Sequence, residues 1–275
     1  MGPILEMFQY DFMQKAFLMS VVLSMAIPCI GVIVVFKRLS MTGDALSHSS
    51  LAGVATGIVF SLNPIFTSMA ACLLAALVIE LIRRRIPHHA DLAIAVVMSA
   101  NVAVAGVMTR FMKRATNLHS FLFGSIVAVT TEEMISVLVI SALVIIVFFL
   151  FYKELFYTTY DEESARLAGV PVNVVNIIFT FLTALTISVA ARTVGTLIVS
   201  SFIVVPIACA MQFAGSFKGT IRQAVGYAVF FSMVGLTLSY HFKLVPGATM
   251  VLVGIITLAI VVVAKRMLHA LRRII

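Results

Sequence analysis

Apolar runs long enough to cross a bilayer recur along almost the whole chain, at about 12–36, 45–62, 64–82, 91–112, 134–152, 171–191, 194–213, 224–241 and 246–264. An α-helix needs roughly 20 apolar residues to span the hydrocarbon. No water is available there, so the backbone must satisfy its own hydrogen bonds. Long uninterrupted runs then select helices over the short alternating strands of a barrel. Composition removes a buried soluble core as the alternative. Of the 275 residues 62% are hydrophobic and 11% charged, about half the charged share of a soluble domain. The expectation is an all-α polytopic membrane protein, one transmembrane domain over 1–275, with eight or nine spans. Eight is the other count because the second run is polar at its start. Glu6 and Asp11, not basic residues, precede the first run, which therefore reads as a span and not a cleaved signal.

The net charge of +8 does not point to nucleic acid, because the basic residues sit in small clusters at the ends of apolar runs, where they orient spans. Thirteen lie on one side: Lys37, Arg38, Arg83, Arg84, Arg85, Lys153, Arg166, Lys218, Arg222, Lys265, Arg266, Arg272 and Arg273. Six lie on the other: Lys15, Arg110, Lys113, Arg114, Arg192 and Lys243. The positive-inside rule makes the first side cytoplasmic, with the N-terminus outside and the C-terminus inside. Cys29, Cys72 and Cys209 each stand alone inside an apolar run and read as buried small hydrophobes.

Two segments are neither span nor simple loop. Residues 117–131, from Asn117 to Thr131, suit a re-entrant half-helix on the outer side. Residues 153–170 mix Lys153, Glu154, Asp161, Glu162, Glu163 and Arg166 around a short amphipathic stretch. This long charged loop is the place for a cytoplasmic partner to dock.

The most informative segment runs from Arg38 to Gly57. Asp44 and His48 are four apart, on one helical face. A carboxylate beside an imidazole supplies half of a divalent-metal site, and ionisable groups within a span usually face a pathway. The other reading is that Asp44 caps the helix and His48 sits among headgroups. Gly53 and Gly57 continue the helix with a spacing that permits close packing, including against a second copy of the chain. His241 at the end of the eighth run is a further pathway candidate; His119, His88 and His89 read as interfacial or solvated. Glu80 and Asp91 flank the Arg83–Arg85 cluster and read as its partners or as helix caps. Glu132 and Glu133 open the fifth run, where carboxylates favour the helix dipole. Pro206 removes a backbone hydrogen bond inside the seventh run. No GxxxxGK[ST] phosphate loop, HExxH pair or histidine box occurs, so ATP hydrolysis would belong to another chain.

At these residues the sequence resembles the permeases of the zinc/manganese/iron class of bacterial ABC importers. The likeness is carried by Gly43-Asp44-Ala45 through His48 and Gly53-Val54, by Phe123-Gly124-Ser125-Ile126, by Asp161-Glu162-Glu163-Ser164-Ala165 through Gly169, and by Val194-Gly195 through Pro206 and Ala210, followed by Ser239 and Pro246-Gly247-Ala248. Family members often carry an aspartate where this chain has His241 to Lys243. The resemblance implies a type II importer fold, like the vitamin B12 and siderophore permeases, in the bacterial plasma membrane. It implies two permease chains around one path, with Asp44 and His48 contacting the metal. It implies a coupling helix at 161–170, with Asp161, Glu163, Ala165 and Gly169 serving the ATPase contact, and an extracellular metal-binding protein that delivers the ion. No permanently bound cofactor is implied: the metal is cargo and ATP acts through the partner. Histidine ligation puts zinc first, then manganese, which prefers more oxygen, then iron. An ATP-independent transporter or channel is the alternative, and a membrane-embedded enzyme a remote one. An autonomous transporter has no need of the 153–170 loop.

Overall fold

The computed structural model describes residues 7–86, 90–111, 122–124 and 130–272. In chain order the helices are α1 Asp11–Phe36, α2 Thr42–Val59, α3 Pro64–Arg85, α4 Ala90–Phe111, α5 Thr131–Leu150, α6 Tyr152–Tyr160, α7 Glu162–Leu167, α8 Val172–Thr193, α9 Val199–Ala210, α10 Phe217–Phe242 and α11 Pro246–Arg272. Each of the nine apolar runs holds one helix, and α6 and α7 occupy the charged loop. Seven helices (α1, α3, α4, α5, α8, α10 and α11) are long and apolar enough to cross a bilayer. The other two are special. Helix α2 carries five hydroxyl residues and three glycines in 18 positions and is enclosed by protein on most of its surface. Helix α9 has only 12 residues, because Gly195 takes φ +106° and the first part of the run 194–213 turns instead of coiling.

Local chemistry sets the helix ends. Asn63 caps α3 through Ile65 N–H at 2.9 Å, with Pro64 in the first turn, where its missing N–H costs nothing. Thr130 and Glu133 form a reciprocal capping box on α5. Lys243, left-handed at φ +54°, ends α10.

Helices α1 and α8 form the centre: 72% of the apolar window of each is buried, against 22–39% for the five other spans, which present their remaining apolar surface to lipid. Helix α1 packs on α5, α8, α9 and α10. Ser24 on α1 and Ser232 on α10 share a hydrogen bond at 2.6 Å, so two hydroxyls that would be costly alone in the core satisfy each other. These two helices are antiparallel: Tyr10 meets Tyr240 at one end and Phe36 meets Phe217 at the other. The second end collects Lys37, Arg83, Arg84, Glu162 and Asn173 around one cavity, and Lys265 reaches Gln212 there. The segments of the larger basic group thus gather at one end of the bundle, hereafter the basic end. Arg192 and Lys243 lie at the opposite end, Arg192 paired with Glu133.

The Gly53–Gly57 face is used inside the chain. A Cβ at Gly53 would stand 2.5 Å from the Thr67 carbonyl, and one at Gly57 would stand 2.3 Å from the Thr67 hydroxyl. Helix α3 therefore occupies the face that the spacing left open to a second copy, and these glycines carry no argument for a dimer. Gly53→Ala is expected to destabilise the single chain by about 1–3 kcal/mol through overpacking against backbone. Thermal unfolding in detergent would read this as a lower Tm with no change in oligomeric state.

Candidate functional site

The chain leaves α1 through Lys37 and a left-handed Arg38 at φ +59°. Leu39 N–H donates back to the Val34 carbonyl at 2.8 Å. This turn starts α2 well inside the bundle. Cys72 Sγ donates to the Leu46 carbonyl at 3.3 Å, and the Ser50 and Ser68 hydroxyls meet at 2.7 Å. Gly57 lies beside Pro64. In this antiparallel register Asp44 is level with about residue 74 of α3, roughly 15 Å from either end at 1.5 Å per residue. The 39–44 stretch thus runs into the bundle, and His48 lies one turn beyond Asp44 toward the Pro64 end of α3.

The rotation of α2 is fixed by hydroxyls. Ser50, Ser68 and Ser188 link α2, α3 and α8, Ser47 and Ser49 bond back to Gly43 and Ala45, and Gly43 backs onto Ser200 and Ile203 of α9. With these positions turned inward, Asp44 and His48 are left half-buried on a common face. Met41 is the cap residue of α2, without a side-chain cap bond, so Asp44 is not a helix cap. His48, level with about residue 70, lies roughly 9 Å inside the Pro64 end of α3. Among the described residues neither side chain has a hydrogen-bond or ion-pair partner, and no group of three or more His, Cys, Asp or Glu comes together. One carboxylate and one imidazole thus stand free, with coordination left to be completed from elsewhere.

His241 is not brought to this pair. It is exposed at the opposite end, edge-on to Tyr240 at 5.6 Å, beside an open cavity of ≈ 540 Å³ with Met13, Ser239 and Lys243. Among the described residues Asp44, His48 and His241 form no group that could hold one ion. His88, His89, His119, Lys113 and Arg114, and all of 117–131 except Leu122, Phe123, Gly124, Thr130 and Thr131, lie outside the described residues. Glu80 pairs with Arg83 and Arg84, both at 2.9 Å, as the flanking position suggested.

In the charged loop, Asp161 caps α7 through Glu163 and Ser164 N–H. The Ser164 hydroxyl and these amides hold its carboxyl below the usual range. Gly169 closes the helix at φ +84°, with Val170 N–H donating to the Ala165 carbonyl at 3.0 Å, a Schellman-type end that favours glycine. Ala165 is 1% exposed and anchors α7 to the bundle, so it is not a contact for a partner. Glu163, Arg166 and Leu167 face outward, and Leu167 is 90% exposed.

Glu162 faces the other way. One of its oxygens meets Lys37 Nζ at 3.0 Å, Asn176 Nδ2 at 3.1 Å and Arg83 Nη1 at 3.7 Å. Burial works against its ionisation, but Lys37 and Arg83 outweigh that and hold its carboxyl below the usual range. Sequence reading gave no separate role to Glu162 and passed over Asn176 and Leu167. The signals were an amide inside an apolar run and a large aliphatic residue inside a charged loop.

Comparison with known proteins bears on what such a bundle is. Residues 9–266 match the ABC 3 transport family. A probable metal transport system membrane protein of Treponema pallidum (strain Nichols) is 32% identical over 256 residues, 93% of this chain and 96% of that protein. The manganese transport system membrane protein MntC of Listeria innocua is 32% identical over 248 residues, 90% of this chain and 89% of that protein. The high-affinity zinc uptake system membrane protein ZnuB of Haemophilus influenzae is 28% identical over 248 residues, 88% and 94% of the two chains. The solved structure of PsaBC from Streptococcus pneumoniae in complex with Fab superposes with a TM-score of 0.84 at 28% identity, covering 94% of this chain and 93% of that one. The matched region runs from before α1 to near the end of α11, with the fold of an ABC metal permease, and this multi-pass protein of the bacterial plasma membrane belongs to the ABC 3 transport family.

Proposed function

We propose that this chain is the membrane-spanning permease of an ATP-driven importer that moves a divalent transition metal into the cytoplasm. The observation that carries the reading is the unpartnered Asp44 and His48 pair, half-buried near mid-height on α2, in a member of a family whose relatives are named for metal transport. Two donors hold an ion incompletely and let it leave, whereas a closed four-ligand site would trap it. Water or a second permease chain supplies the rest. Carboxylate suits manganese and imidazole suits zinc. Relatives named for manganese are 32% and 28% identical and one named for zinc is 28% identical, so both ions enter the test.

The basic end faces the cytoplasm in this reading. There the ATPase subunit seats on α7 through Glu163, Arg166 and Leu167, with Asp161 and Gly169 shaping the helix. The binding protein delivers the ion at the end that carries His241. The test is ATP-dependent uptake of labelled manganese and zinc by proteoliposomes holding this chain with its ATPase. Uptake of neither ion would sink the proposal; uptake that ignores ATP would establish the autonomous transporter instead.

Leu167 provides a sharper check on docking. Its side chain touches almost nothing in the chain, so Leu167→Ala should leave the Tm of the isolated permease unchanged. Burying a leucine at an interface is worth about 1.5–3 kcal/mol, so affinity for the ATPase, read by titration in detergent, should fall roughly tenfold or more. Undiminished affinity would count against α7 as the docking element.

A further inference from the structure

The side of α7 turned away from the proposed ATPase contact carries a second feature. Glu162 points into the bundle while Glu163, the next residue, points out. The single oxygen Oε1 of Glu162 takes contacts from three elements: Lys37 at the end of α1, Arg83 at the end of α3 and Asn176 in the second turn of α8. Lys37 also donates to Asn176 Oδ1 at 2.8 Å, and its side chain is only 6% exposed. From Lys37 the chain reaches Asp44 through the short left-handed turn at Arg38. From Arg83 the contacts pass to Glu80, which lines a small cavity with Thr42, Leu39 and Leu46, the residues that flank Asp44. Both elements that position the start of α2 are therefore held by one carboxylate of α7.

We propose that Glu162 is a positioning residue that transmits movement of α7 to the start of α2, and so to the Asp44 and His48 pair. The inference rests on the permease reading above. The physical reason is the cost of separating buried charges. Pulling α7 away alone would leave Lys37, only 6% exposed, without its counter-charge, which is unfavourable, while Arg83 keeps Glu80. The lower-cost motion carries Lys37, and with it the turn into α2. A displacement imposed on the exposed face of α7 then arrives at the metal-bearing helix through packed, charged contacts. A pair exposed on both sides would not do this, since water replaces either partner at little cost; here Glu162 is 38% exposed and Lys37 only 6%.

The test uses the complete transporter in proteoliposomes and reads labelled manganese imported per ATP hydrolysed. Glu162→Gln keeps the size and one amide contact but removes the charge. Because that variant leaves the buried Lys37 bonded to Asn176 but without a counter-charge, the double variant Lys37→Met with Glu162→Gln is measured beside it, and Lys37→Arg serves as the conservative control. Ions imported per ATP are expected to fall about fivefold or more in both neutralised variants and to stay within about twofold of wild type in Lys37→Arg, a range set by common coupling free energies. A merely structural role would lower the amount of transporter, and uptake and hydrolysis would fall together at a fixed ratio. An unchanged ratio in both neutralised variants overturns the proposal, as does failure of both to assemble with the ATPase. Wild-type vesicles that import no metal would instead overturn the permease reading, so the two failures are told apart.

Discussion

His48→Ala is expected to abolish metal uptake while the chain still folds and assembles. The imidazole is half-buried and makes no hydrogen bond within the described chain, so its removal should cost no more than about 1 kcal/mol of stability. Its loss from a two-donor site is a different matter. Removing even a residue that only supports a ligand costs about 10–100-fold in metal affinity, and the loss of a ligand itself should reach the upper end or beyond. Asp44→Asn tests the partner. Asparagine keeps the shape, and the lost charge near the start of α2 costs about 0.3–1 kcal/mol through the helix dipole. Uptake should nonetheless fall severely, because a neutral amide is a poor ligand for a divalent ion. Labelled manganese and zinc uptake at matched expression decides the matter. Near-normal transport in both variants would remove Asp44 and His48 from the path. Loss in only one would assign the ion contact to that residue alone.

Gly195→Ala is expected to leave little folded protein, whereas Gly169→Ala should be tolerated. Both glycines have positive φ, +106° and +84°, so both substitutions strain the backbone, by about 1–3 kcal/mol each. The surroundings separate them. A Cβ at Gly169 meets nothing within 4 Å, so strain is the whole cost. A Cβ at Gly195 would stand 2.4 Å from the Phe123 carbonyl carbon and 2.6 Å from Gly124 N. Those are backbone atoms with no rotamer to yield, and overpacking adds roughly another 1–3 kcal/mol. Leu197 N–H also bonds the Leu122 carbonyl at 3.2 Å, so a shift at Gly195 breaks the tie between two segments. Expression and thermal unfolding in detergent would check the contrast. Equal melting temperatures for the two variants would show that the close approach at Gly195 yields easily.

The helices were legible because membrane spans announce themselves by length, and each apolar run became a helix. What length does not encode is depth. The charge pattern puts Lys37 and Arg38, just before Asp44, on the cytoplasmic side, and only the rungs from Leu46 to Cys72 and from Ser50 to Ser68 reveal that α2 begins inside the bundle. Gly195 was visible as a residue but not as a break, because its φ depends on the segment 122–124 packed against it. The Gly53–Gly57 spacing announced close packing correctly and could not name the partner, since any helix satisfies the same geometry. That Asp44 and His48 share one helical face was readable from spacing alone. The Glu162 cluster was not, because it joins residues 37, 83, 162 and 176 from four separate segments, and no local pattern records that meeting.

The depth of Asp44 also has an electrical meaning. A charge carried fully across a membrane potential of 100 mV exchanges about 2.3 kcal/mol. A divalent ion that arrives at mid-height from outside has crossed about half the field, so the potential adds about 2.3 kcal/mol per 100 mV to its capture. The ion's remaining descent to the cytoplasm runs down the other half. On the proposed import path, a negative cell interior would therefore drive part of the first stage of loading before any nucleotide is consumed.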